Sequence, residues 1–89
     1  MQKMILRKGH RLRPGGAYPK TTITIHSTAN AKSTALNERA WLDNPINNRY
    51  ASWHYCVDES GVVQAIPERE EAWHCGDTGG NRHSLSIEI

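Results

Sequence analysis

The sequence predicts a small α/β domain built on a mixed β-sheet flanked by helices. Three observations carry this. A β-branched alternating run spans residues 21–26, a capped stretch with helical spacing follows at 33–42, and three more strand-like runs come after it. The order is β-α-β-β-β, and one crossover helix followed by a hairpin gives a sheet with both parallel and antiparallel neighbours. At 89 residues the chain has room for one domain at most, since domains usually run ~100–150 residues.

The elements follow in order. Arg13-Pro14-Gly15-Gly16 and Tyr18-Pro19 punctuate an extended entry segment. Thr21-Thr22-Ile23-Thr24-Ile25-His26 reads as a strand, with Ile23 and Ile25 on one face and Thr22, Thr24 and His26 on the other. Residues 33–42 read as a helix capped by Ser33 or Thr34 and ended by Asp43-Asn44-Pro45. Residues 46–50 form a polar loop. Residues 52–57 form a second strand, with Ser52, His54 and Cys56 on one face and Trp53, Tyr55 and Val57 on the other. The turn Asp58-Glu59-Ser60-Gly61 returns the chain as a hairpin over residues 62–66, and Pro67 stops it. Residues 68–83 are polar and glycine-rich and read as a loop. The final run Leu85-Ser86-Ile87-Glu88-Ile89 alternates again, and ending inside a core pattern is expected of the first part of a longer domain.

Composition removes several classes. No apolar run approaches the ~20 residues of a membrane-spanning helix, and ordered blocks of Trp, Tyr, Ile and Val argue against disorder. Residues 1–20 carry six basic side chains and no acidic one, whereas residues 57–89 carry seven acidic and two basic. Such an arm suits nucleic acid, an anionic wall polymer or a solvated strap; it lacks aromatic interleaving and any nucleic-acid motif, so no nucleic-acid partner is expected. Arg7, Lys8 and Arg11 interrupt any apolar leader near the N-terminus, which predicts synthesis in the cytoplasm without a secretory signal. Cys56 and Cys75 are too few for a disulfide scaffold, and two thiols or one bridge both fit.

Five histidines and one strand carboxylate are the candidates for chemistry. His26 ends a strand whose polar face is otherwise threonine, which suits a metal ligand, a general base or a plain surface residue. Glu88 sits in an Ile-rich strand, where an unpaired buried carboxylate is costly; a central strand requires it to face a polar cleft, and an edge strand lets it face water. His54 and Cys56 share a face, a spacing that suits core packing better than zinc. His74 and Cys75 are adjacent and diverge in extended chain, but their loop, with Trp73, can line a groove. No phosphate loop, nucleophile elbow, CxxC or HExxH is present.

Taken together, several blocks resemble one family. Arg13-Pro14-Gly15 with Thr22-Ile23-Thr24-Ile25-His26-Ser27-Thr28-Ala29-Asn30, then Ala51-Ser52-Trp53-His54-Tyr55-Cys56-Val57-Asp58 with Gln64-Ala65-Ile66-Pro67, then Ala72-Trp73-His74-Cys75-Gly76-Asp77, Gly80-Asn81-Arg82 and Ser84 to Ile89 are similar, in order, to type 2 N-acetylmuramoyl-L-alanine amidases. The likeness is to the phage endolysin and prophage autolysin branch, which shares the fold of peptidoglycan-recognition proteins. It implies a zinc hydrolase that cuts the amide between the lactyl group of N-acetylmuramic acid and L-alanine in peptidoglycan. By matching position it implies that His26 is a zinc ligand, that Glu88 is the catalytic carboxylate, and that Trp73, His74 and Asn81 belong to the substrate groove. His54 matches a position that is no ligand. The family's second His and its Cys or Asp ligand come after the strand of Glu88, so residues 1–89 are expected to be a single N-terminal portion of the domain, holding zinc weakly or not at all. Neither Cys56 nor Cys75 matches the remaining thiolate, and Ser86 stands where the family usually has Gly. The resemblance further implies a monomer that acts on the cell wall, reached by a holin-type or non-classical route.

Overall fold

A computed structural model describes residues 1–89 as one body, and its main sheet has five strands in the order β1-β5-β4-β7-β3. The elements are β1 (Gln2–Lys3), β2 (Gly15–Ala17), β3 (Thr22–His26), α1 (Ala35–Asp43), β4 (Tyr55–Asp58), β5 (Gly61–Gln64), β6 (Glu70–Glu71), α2 (Thr78–His83) and β7 (Ser84–Glu88). The sheet is mixed: β7 runs parallel to both β3 and β4, β1 runs parallel to β5, and β4 and β5 form the antiparallel hairpin. β2 and β6 make a separate two-stranded sheet. No helix is long and apolar enough to cross a membrane.

The strands expected at 21–26, 52–57, 62–66 and 85–89 all form, shifted by one to three residues at their ends. The helix starts at Ala35 because the Thr34 hydroxyl accepts the Asn37 N–H and caps it. The Asp58 carboxylate accepts the N–H of Ala35 at 2.8 Å and those of Ser60 and Gly61 at 2.7 and 3.1 Å, so one side chain closes the hairpin turn and fixes the helix start above it. These bonds hold the Asp58 carboxyl below its ordinary pKa, the Ala35 N–H contributing most.

Four elements were not expected. β1 is two residues long, and β2 is Gly-Gly-Ala, so neither shows alternation. Residues 68–83, read as one loop, contain β6 and α2. α2 has two glycines in six residues, a poor helix sequence. It is held from outside its own propensity: the Asp77 carboxylate caps it through the Gly80 N–H at 2.9 Å. A Cβ at Gly80 would run into the Cys75 sulfur, so the Cys75 side chain would have to turn aside to admit one.

α1 packs over β4 and β5, burying Ala35, Arg39 and Leu42 against Cys56 and Val63. Leu6, Leu12, Trp53, Ala65, Ile66 and Ala72 complete this core. The other sheet face is bare. Ile23 and Ile25 are 64% and 63% exposed, and Leu85, Ile87, Tyr55, Val57 and Val62 beside them are only half-buried. The residues buried on β7 are the serines: Ser84 at 3% and Ser86 at 0% exposed.

The basic arm is bound internally. Arg13 makes a two-pronged ion pair with Glu70 at 2.8 and 2.7 Å. Arg11 donates to the carbonyls of Asn47 and Arg49, and Lys20 to that of Arg82 at 2.8 Å. Half of the arm's six cations therefore strap the entry segment to the rest of the chain.

Candidate active site

α1 covers the β4 and β5 side of the sheet and stops short of β7 and β3. That leaves a cleft of about 270 Å³ floored by His26 and Glu88 and walled by Glu38, Trp41, Arg49, Trp73 and His74, among others. His26 and Glu88 face each other in register across the β3–β7 pair. Adjacent strands lie ~4.8 Å apart, so the two side chains rise side by side on one face. β7 is a central strand, hence Glu88 meets the cleft, and burial raises its carboxyl pKa above the ordinary value while nearby His26 opposes the shift.

His74 reaches into this site from the loop before α2. Its Nδ1 lies 3.0 Å from His26 Nε2, with the rings nearly perpendicular, and its Nε2 lies 3.1 Å from the Ser84 carbonyl oxygen. Burial lowers its pKa. Trp73 is tied to the segment that leads into β4: the Ser52 N–H donates to its carbonyl at 2.8 Å, its own N–H donates to the Ser52 hydroxyl at 3.0 Å, and Tyr50 packs edge-on against its ring.

Asn81 sits elsewhere than in the groove. It does not line the cleft; its carboxamide oxygen accepts the backbone N–H groups of His74 at 2.9 Å and Cys75 at 3.0 Å. It is the brace behind the wall that Trp73 and His74 form. The reason is α2, which turns the Asn81 side chain back onto its own preceding loop.

His54 and Cys56 are core residues. His54 is fully buried, with Nε2 donating to the Glu70 carbonyl at 2.7 Å and Nδ1 accepting the Ser86 N–H at 2.9 Å, so it bolts the small sheet to β7. Burial brings its pKa down to about 4. Burial also pushes the Cys56 thiol up to about 12, and Cys56 and Cys75 are both free. His10 pairs with Asp43, and His83 bonds the Pro19 carbonyl; both lie outside the cleft.

The sequence reading missed Glu38, Trp41 and Arg49 in the cleft. The two helix residues lie one turn apart in α1, where i, i+3 spacing places them on the same flank. Arg49 stands in a loop with no motif.

A zinc site needs about three protein ligands. No three His, Cys, Asp or Glu side chains converge in a group able to hold a metal ion. The donors of residues 1–89 therefore do not complete a zinc site.

The model of the N-acetylmuramoyl-L-alanine amidase family matches residues 16–89. The chain is 40% identical over 85 residues to N-acetylmuramoyl-L-alanine amidase XlyA of Bacillus subtilis (strain 168), a match that takes in 91% of this chain and 28% of XlyA. It superposes on the solved catalytic domain of XlyA with a TM-score of 0.88 at 36% identity, covering 99% of this chain and 59% of that one. On a mutant endolysin from Bacillus subtilis the TM-score is 0.89 at 37% identity, covering 99% and 58%. The chain thus spans less than a third of XlyA and somewhat over half of the solved domains. By the family match, the sequence identity and the shared fold, it belongs to the N-acetylmuramoyl-L-alanine amidase family.

Proposed function

We propose that residues 1–89 are the N-terminal portion of the catalytic domain of a zinc-dependent N-acetylmuramoyl-L-alanine amidase that hydrolyses the lactyl–L-Ala amide of peptidoglycan at the cell wall. The observation that carries this is the in-register pairing of His26 and Glu88 on the floor of one cleft. Glu88 is the acid–base group: a carboxyl whose pKa burial has raised toward the working pH accepts a proton from attacking water more effectively than an ordinary one and can return it to the leaving amine. His26 is one metal ligand, and the others lie outside these 89 residues. Trp73 and His74 form the wall against which the glycan–peptide lies, and Asn81 holds that wall. The protein works as a monomer.

A second reading is a non-catalytic peptidoglycan-binding module, and the incomplete donor set favours it for the 89-residue chain taken alone. Two preparations separate the readings: the chain itself, and the chain continued by the remaining part of the XlyA catalytic domain. The amidase reading expects wall binding by both, release of free L-alanine amino termini only by the continued form, and loss of release in its Glu88→Gln variant. Release that survives Glu88→Gln removes Glu88 from the chemistry. Wall binding by both forms without release by either supports the second reading.

A further inference from the structure

The polar floor of the cleft contains a chain of hydrogen bonds whose direction can be worked out atom by atom. It starts at the Ser84 carbonyl oxygen, which can only accept. His74 Nε2, 3.1 Å away, must therefore carry a proton. A neutral imidazole carries one ring proton, so with Nε2 protonated toward Ser84 the Nδ1 of His74 is a bare lone pair. His26 Nε2 lies 3.0 Å from that lone pair, and a contact between two ring nitrogens at this distance holds one proton. The proton must come from His26 Nε2.

We propose that His74 is a positioning residue: it fixes the His26 ring as the Nε2–H tautomer, with the backbone carbonyl of Ser84 as the origin of the constraint, and leaves Nδ1 as the nitrogen His26 offers to the cleft. No protein group hydrogen-bonds His26 Nδ1, while the residue lines the cleft. A ring flip of His26 would exchange Nε2–H for a carbon facing the His74 lone pair, so orientation and tautomer are locked together. His74 is itself pinned at both ends, by its ring at Ser84 and by its backbone N–H at Asn81 Oδ1. The arrangement is the one by which a histidine that serves as a ligand has its free nitrogen selected by a partner on the other. Its value for catalysis rests on the amidase reading; the tautomer does not, and it can be tested on the 89-residue chain without any wall substrate.

The deciding measurement is nitrogen NMR of the uniformly 15N-labelled chain at neutral pH. We expect His26 with protonated Nε2 and bare Nδ1, His74 in the same form, and an N–N scalar coupling across the hydrogen bond between His26 Nε2 and His74 Nδ1. In His74→Ala that coupling is lost and the His26 Nε2 proton exchanges with water about tenfold faster, the loss of one hydrogen bond. His74→Gln provides the acceptor by another route: its side-chain oxygen can take the His26 proton, so exchange slows back toward the parent while the N–N coupling stays absent. Backbone spectra of the core around Val63 report whether each variant is folded, and His74→Gln decides if His74→Ala is not. His26 found with its proton on Nδ1, a doubly protonated His74, or an exchange rate unmoved in the folded variants overturns the proposal, and none of these touches the amidase assignment.

Discussion

The two faces of the main sheet are made of the same strands and are unlike in every physical respect. One carries Thr24, His26, Ser84, Ser86, Glu88, His54 and Cys56; it is covered by α1 and the loops, and its polar groups are mostly bonded. The other carries Ile23, Ile25, Leu85 and Ile87 and is covered by nothing in residues 1–89. Hydrophobicity would assign them the other way round. The difference teaches that alternation shows which side chains share a face but not which face the rest of the chain covers. Here the crossover helix lies over the polar side, because Asp58 and Arg39 tie α1 to the hairpin turn and to the first strand's exit at Met4. Sheets with parallel strands usually have both faces covered, and about two-fifths of the XlyA catalytic domain lies outside the match.

The sharpest way to break this contrast is to remove a strut from the covered face. His54→Ala leaves the Glu70 carbonyl and the Ser86 N–H without partners in a closed site and opens a cavity. We expect a loss of about 3–5 kcal/mol in urea denaturation; a loss below about 1 kcal/mol would show that the strut is dispensable. The same residue gives a pH signature. His54 has a folded-state pKa of about 4 against 6.5 unfolded, so the unfolded chain takes the proton first as pH falls. Stability is retained above pH 6.5 and declines by roughly 3 kcal/mol by pH 4. Glu88 acts in the opposite sense: with a raised folded pKa it favours the fold at low pH and withdraws that contribution as pH rises through it. Denaturation midpoints from pH 4 to 8 check the slope, which should flatten in a folded His54→Gln variant.

Smaller effects refine the picture. Asn81→Ala strips two backbone N–H groups of their acceptor, and we expect a loss of about 2 kcal/mol together with faster amide exchange at His74 and Cys75. On the open face, Ile25→Ser should change the stability of the 89-residue chain by no more than about 0.5 kcal/mol. A loss of 2 kcal/mol or more there would mean that the face is covered in solution, and sedimentation of the variant against the parent would show whether a second copy does the covering.

Much of the fold could be read from the chain. β3, β4, β5, β7 and α1 announce themselves by alternation, turn residues and a cap, and these are the elements long enough to carry a period. β1, β2, β6 and α2 are two to six residues long and exist because of partners distant in sequence, such as Glu71 opposite Gly15. Asp77 three residues before Gly80 was the one local sign of α2. In the site, His26 and Glu88 stood out as polar members of apolar strands, but their adjacency depends on β7 entering between β4 and β3, which no local pattern states. Nothing near His74 foretells its ring bond to His26: two residues 48 apart meet through a loop whose shape Asn81 sets.

The position of β7 also governs the order in which the molecule can be made. β3 has no neighbour in the sheet except β7, and β7 is the last of the nine elements to leave the ribosome. Until then His26 belongs to a strand with nothing to pair with, while β4 and β5 can already close as a local hairpin. The register that brings His26 beside Glu88 spans 62 residues, a long-range closure of the kind that slows folding. His26 and Glu88 can therefore meet only once β7 has emerged, later than the β4–β5 hairpin, and the floor of the cleft is laid after its α1 wall.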